Sequence, residues 1–347
     1  MYEDEIYDLI EREPLEAVLR AHPETGEFLK NLRLTHLNFD RSLAEALEER
    51  GQEALEDFCL NADDCIDQLV EFILSTSARS EETLHLESIT MIGGCAKDGS
   101  PENTSLTISR GEVISVVGPT GSGKSRLLAD VECLAQGDTP TRRKILINGT
   151  EPDEERRIAL GGNLVAQLSQ NMNFVMDLTV EEFLRMHARS RQVKDEDERV
   201  AQCYACANEL SGEKFDRNVK VTQLSGGQSR ALMIADTACM SASPIVLIDE
   251  IENAGIDRMK AVGLLAREGK IVLISTHDPL LALSAGRRLV MKNGGICAVL
   301  ETSEAEKRAQ QKLVRVDAAL SWLRQALRGG ESMDESTLEG WLDVEDV

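Results

Sequence analysis

Gly118-Pro119-Thr120-Gly121-Ser122-Gly123-Lys124-Ser125 decides how the rest of the chain is read. A glycine, four residues and then Gly-Lys-Ser is the spacing of a loop that wraps a phosphate chain. The β-branched run Val113–Val117 stands before it, and a helical pattern opens near Lys124. A strand, a glycine-rich turn and a helix start in that order aim backbone N–H groups and a helix dipole at one anion. Lys124 is long enough to reach β- and γ-phosphates, and the Ser125 hydroxyl is a ligand for Mg²⁺. Arg126 follows in the first helical turn.

Working outward, the apolar run Ile245–Ile248 delivers Asp249 and Glu250 at a strand end. Asp249 is read as the carboxylate on Mg²⁺, and Glu250 as the base that polarises the attacking water. Short strand-like runs at Glu112–Val117, Lys144–Ile147, Ile245–Ile248 and Lys270–Ser275 alternate with helical stretches. That alternation predicts an α/β fold with a largely parallel sheet.

Between the two motifs lies Leu224-Ser225-Gly226-Gly227-Gln228. With this pentapeptide the chain resembles the ATP-binding-cassette (ABC) family, over about residues 84–300. The resemblance implies a P-loop NTPase of ABC type with a helical subdomain at about residues 171–236, hydrolysing ATP with Mg²⁺. It also implies a dimer closed head to tail. Ser225, Gly226, Gly227 and Gln228 of one copy then face the γ-phosphate held on the other copy's Gly118–Ser125 loop. By the same resemblance Gln170, favoured over Gln167, is the glutamine-loop residue near Mg²⁺ and the reaction. His277 is the switch histidine, and Asp257 the aspartate of the dimer contact.

Three features depart from the family's pattern. No aromatic residue lies between Phe72 and Phe174, so the usual adenine-stacking ring is missing, with His85 or an aliphatic residue as substitutes. Ser229–Asp236 is about one residue shorter than the common pattern and ends in an acid where transporter subunits often carry arginine. Finally, Glu250 is followed by Ile251-Glu252-Asn253-Ala254-Gly255-Ile256 rather than by Pro-Thr.

Charge divides the chain. Residues 1–83 carry 22 acidic and 7 basic side chains, −15; residues 301–347 carry 11 and 6, −5; the middle is only −3 of the total −23. Acidic ends and a near-neutral centre disfavour nucleic acid and anionic membrane as partners. The first 83 residues read as a small all-α module of short helices at Pro14–Leu29, Arg41–Glu49 and Ala54–Leu74, followed by a linker at Ser75–Ser80. Residues 301–347 read as an amphipathic helix, Ser303–Arg328, with Leu313, Val316, Leu320, Leu323 and Leu327 on one stripe, and an acidic tail containing Trp341.

There is no secretory signal pattern and no apolar run of about 18 residues, which predicts a cytoplasmic chain. Cys203 and Cys206 form a CxxC within a helical stretch, with no second CxxC to complete a metal site. Two functions follow. One is a soluble motor that uses ATP to remodel or assemble an unidentified protein partner, favoured by the added module and the altered Ile251–Ile256 segment. The other is the nucleotide-binding subunit of a transporter, with Phe174–Met186 receiving a segment of a separate membrane chain. A chromosome-maintenance ATPase fits poorly, because only about 100 residues separate Ser125 from Leu224.

Overall fold

A computed structural model describes residues 3–332 except 35, 52–54, 56–57, 59, 85, 155–156, 158–163, 170–173, 192, 194 and 250–255. Its contacts divide the chain into two units, residues 1–85 and 86–347.

In the first unit, α1 (Glu3–Arg12), α2 (Leu15–Ala21), α3 (Thr25–Asn31), α4 (Leu43–Arg50) and α5 (Ala62–Leu84) bury one core. The helical stretch Pro14–Leu29 is divided in two at Pro23, which lacks an N–H, and the chain turns at His22–Glu24. The last helix starts later than its apolar spacing implies, because Asn61 caps it: Asp64 N donates to Asn61 Oδ1 at 2.8 Å and Asn61 N to Asp64 Oδ2 at 3.1 Å. Ser75–Ser80 is not a linker but part of α5. Serine and threonine lower helix propensity by only tenths of a kcal/mol, too little to stop an established helix.

The second unit has two sheets. A three-stranded antiparallel sheet, in order β2-β1-β4, comprises β1 (Ser88–Ile92), β2 (Ser105–Ser109) and β4 (Lys144–Ile147). The six-stranded sheet runs β5-β6-β7-β3-β8-β9, from β3 (Val113–Val117), β5 (Val165–Leu168), β6 (Ile245–Asp249), β7 (Ile271–Ser275), β8 (Arg287–Lys292) and β9 (Gly295–Glu301). Only the β8–β9 pair is antiparallel in it. Residue patterns explain the difference. Ser105-Leu-Thr-Ile-Ser buries alternate residues and suits a sheet with one wet face. Ile245–Ile248 and Ile271–Ser275 are buried throughout, as central parallel strands covered on both faces must be.

Helix α6 (Lys124–Glu132) follows β3. Helices α7 (Val180–Ser190), α8 (Glu196–Leu210) and α9 (Gly226–Cys239) pack into one apolar cluster. The acid at 236 is accounted for here: buried Asp236 on α9 accepts from Arg191 Nη1 at 2.9 Å and faces His187 Nδ1 at 3.0 Å. Helices α10 (Arg258–Arg267), α11 (Pro279–Ser284) and α12 (Glu304–Arg328) complete the unit. The stripe expected on α12 is only half used, since Val316, Leu320 and Leu327 are exposed. The segment with Trp341 lies outside the described residues.

Candidate active site

The phosphate loop hangs from β3, an interior strand between β7 and β8. Its glycines are demanded by close approach. A Cβ on Gly118 would sit 2.5 Å from Met291 O, and one on Gly123, whose φ is 102°, would sit 3.0 Å from Gly294 Cα. The left-handed turn at Gly123 lets α6 start at Lys124.

The Lys124 side chain folds back into the loop and is buried. Its ammonium donates to Gly118 O at 3.0 Å, Pro119 O at 3.5 Å and His277 Nε2 at 3.1 Å. An ammonium has no lone pair, so Nε2 must be the unprotonated nitrogen of that ring. The Ser122 hydroxyl is buried without a hydrogen-bond partner. Among the described residues this buried cation has only neutral acceptors and the hydroxyl no partner, which, in a cradle that a single Cβ would fill, fits a phosphate chain.

His277 follows β7, held by backbone on both sides. Thr276 N donates to Val116 O at 3.1 Å, and Asp278 N to Thr276 Oγ1 at 3.0 Å. Asp249 ends β6 directly opposite Ser275 of β7. Adjacent strand ends thus bring Lys124, His277 and Asp249 to one edge of the sheet. Ser125 and Asp249 are the hard oxygen donors there that suit Mg²⁺. Ser125 and Arg126 are exposed on the first turn of α6, and Arg126 Nε lies 3.5 Å from Asp130 Oδ1. Glu250 and Gln170 lie outside the described residues. Gln167, the competitor, is paired within β5 opposite Leu247.

The signature residues stand apart from this edge. Ser225 caps α9: its hydroxyl accepts from Gln228 N at 3.3 Å while Gln228 Oε1 accepts from Ser225 N at 2.9 Å. Gln228 Nε2 reaches Glu213 O at 3.3 Å, so its amide is spent within the chain. What Gly226 and Gly227 offer outward is backbone N–H at a helix start. Asp257 caps α10 through Lys260 N at 3.1 Å. Among the described residues, no hydrogen bond joins Ser225–Gln228 to Gly118–Ser125.

Several contacts around the site have no sequence signal beyond neighbourhood. Lys97 Nζ donates to Gly121 O at 2.7 Å, and Arg258 pairs with Asp278, the residue after His277. The CxxC gains a third thiol from α9. Cys239 is held below its ordinary range by hydrogen bonds from Cys203 and then Cys206, opposed by burial. Cys206 is pushed up to about 11 by burial. Among the described residues, no three ligating side chains are placed to hold a metal.

These features define a phosphate-loop nucleotide hydrolase. The family model for "ABC transporter" matches residues 101–253. An uncharacterized ABC transporter ATP-binding protein of Methanocaldococcus jannaschii is 53% identical over 251 residues, 72% of this chain and 96% of that protein. The macrolide export ATP-binding/permease protein MacB of Mannheimia succiniciproducens is 30% identical over 203 residues, 56% of this chain but only 31% of that protein. In fold, cbiO1 from Clostridium perfringens, part of the ABC transporter complex cbiONQ, aligns with a TM-score of 0.50 at 20% identity, covering 71% of this chain and all of that one. The chain belongs to the ABC family and is an ATPase that binds ATP with Mg²⁺.

Proposed function

We propose that this chain is the nucleotide-binding subunit of a membrane transporter, working at the cytoplasmic face as a head-to-tail pair on a separate membrane chain. One observation carries the reading. Val175 is 91% exposed and its neighbour Met176 36%, and Met186 on the following helix α7 is 37% exposed. Phe174 is anchored against Phe183, ring centroids 4.9 Å apart, so the exposed residues are presented from a packed base. Apolar side chains presented in this way favour a docked segment over water. Among the described residues no helix is long and apolar enough to cross a membrane, so the spanning part belongs to another chain in this reading. The names carried by the relatives also favour transport over the soluble motor.

In the pair, the Gly118–Ser125 loop holds the phosphates, Ser125, Asp249 and Gln170 hold Mg²⁺, and Glu250 polarises water. His277 faces the γ-phosphate, Ser225, Gly226 and Gly227 cap it from the second copy, and Asp257 lies at the dimer contact. Replacing both Val175 and Met186 by aspartate tests the docking surface. The parent should co-purify in detergent with a membrane-spanning chain from its own cells, and the variant should lose that chain while binding ATP as before. A parent found entirely in the soluble fraction with a soluble partner would return the motor reading. Glu250→Gln should trap an ATP-bound dimer on size-exclusion chromatography, with turnover down about 100-fold.

A further inference from the structure

One guanidinium joins the C-terminal helix to the turn that carries His277. Arg258 opens α10, directly after Asp257. Its Nη1 pairs with Asp278 Oδ2, and its Nη2 donates to Asp317 Oδ1 at 3.0 Å and Oδ2 at 2.9 Å. The cluster is largely screened from water: side-chain exposures are 21% for Arg258, 9% for Asp278 and 34% for Asp317.

Asp278 divides its carboxylate between two tasks. Oδ1 accepts from Leu280 N at 2.8 Å and caps α11, while Oδ2 meets Arg258. The peptide before it carries His277, whose Nε2 is 3.1 Å from Lys124 Nζ. A connected path therefore runs from Asp317 through Arg258 and Asp278 to the histidine over the phosphate loop. Helix α12 is fixed independently at its start, where Glu306 accepts from Arg288 Nη2 at 2.7 Å and Ser303 caps the first turn. Asp317 lies three turns further on, so its bond to Arg258 is not required to attach the helix.

We infer that Arg258 is a positioning residue for His277 and that Asp317 of the C-terminal helix sets how firmly it acts. With both carboxylates in place the guanidinium is held from two sides, and Asp278 keeps one orientation under the histidine. When Asp317 is neutral, one nitrogen of the fork loses its charged acceptor, Arg258 rotates toward water, and the turn at Thr276–Pro279 loosens. The phosphate loop hangs from β3 and keeps its shape, so nucleotide binding survives while alignment for hydrolysis suffers. Anything that moves α12 would thereby tune turnover. This rests on the assignment of His277 as the γ-phosphate contact.

The test uses the full chain and separates kcat from KM. Asp317→Asn should lower kcat for ATP about tenfold with KM within about twofold, the pattern of lost alignment rather than lost binding. Asp317→Glu should restore most of it. Arg258→Lys, which cannot hold two carboxylates in a fork, should fall at least as far, and adding Asp317→Asn to it should cost nothing more, because the two act through one contact. Melting temperature is followed alongside. A change in melting with kcat unaltered in both single variants means that the bridge only staples α12, and overturns the inference. His277→Ala is the separating control. If it retains parental kcat, the assignment of the histidine is wrong; if it loses activity while Asp317→Asn does not, only the coupling is wrong.

Discussion

Arg143 and Lys124 are both buried cations, and their surroundings are opposite. Arg143 is fully enclosed by counter-charge: Nε and Nη2 donate to the two oxygens of Glu102 at 2.8 and 3.0 Å, Nη1 to Asp130 Oδ2 at 2.9 Å, and Nη2 also to Gly294 O at 2.7 Å. Lys124 meets two carbonyls and an imidazole nitrogen. A charge that serves the fold is neutralised inside it, whereas a charge that serves a ligand is left for the ligand to neutralise. Lys270 sharpens the contrast. It too is buried against carbonyls, Ser241 O and Ser243 O, both at 2.8 Å, yet among the described residues no phosphate-type glycine loop wraps it. Neutral partners are therefore necessary for a waiting cation but do not by themselves make a site.

The largest effect belongs to Arg143. Replacing it with leucine takes the guanidinium from buried Glu102 and leaves Asp130 with only half-exposed Arg126 at 3.5 Å as a cation, which should cost about 3–5 kcal/mol in urea unfolding. Lys124→Ala removes a buried cation whose partners among the described residues are all neutral, so its stability should stay within about 1 kcal/mol of the parent. If the two variants unfold alike, the division into structural and waiting charges is mistaken.

The second effect reverses the order. Lys124→Ala should reduce ATP turnover by about 100-fold or more, as loss of a preorganised donor to developing charge does. The comparison breaks if turnover survives that substitution, because the waiting cation would then serve no anion.

These two residues also mark what could be read in the sequence. The Gly118–Ser125 loop was legible because its constraints are local: glycine where a Cβ would strike Met291 O, lysine at a helix start, a strand just before. His277 and Asp249 were legible as strand ends within the same set. Arg143 was not, since its partner Glu102 lies 41 positions away and becomes a neighbour only when β1 pairs with both β2 and β4. The placing of Lys144–Ile147 in that antiparallel sheet is hidden for the same reason: β1 pairs with β4 across more than 50 residues, Ile92 opposite Lys144 and Ile89 opposite Ile147, and such a pairing leaves no local pattern. The helix through Ser75–Ser80 is hidden by its residue types: serine and threonine look like a linker there, yet they lower helix propensity too little to end a helix begun at Ala62. Arg258 could have been suspected only from its place beside Asp257.

The third effect separates Lys270 from the other two. Burial pushes its ammonium down to about 8, from 10.5. Between those values the unfolded chain binds the proton and the folded chain does not, so stability should rise with pH across that window. The rise approaches about 3 kcal/mol and should be absent from Lys270→Met, which is compared with the parent by urea unfolding at pH 7.5 and 10. A parent curve no steeper than that of the methionine variant would mean that Lys270 keeps its proton when buried.

The smallest effect lies one residue from the largest. Lys144 follows Arg143 at the start of β4 but points to the other face, where its Nζ is 2.8 Å from Glu151 Oε1, the same distance as Arg143 Nε to Glu102 Oε2. The side chains of Lys144 and Glu151 are 42% and 55% exposed, whereas those of Arg143 and Glu102 are 0% and 1% exposed. Water solvates either exposed charge once its partner is gone, so Glu151→Gln should change stability by about 0.5 kcal/mol or less and respond little to salt. Equal distance with unequal consequence is the point of measuring both. A loss at Glu151 approaching that at Arg143 would show that separation between charges, and not the water they have surrendered, sets the worth of a pair in this protein.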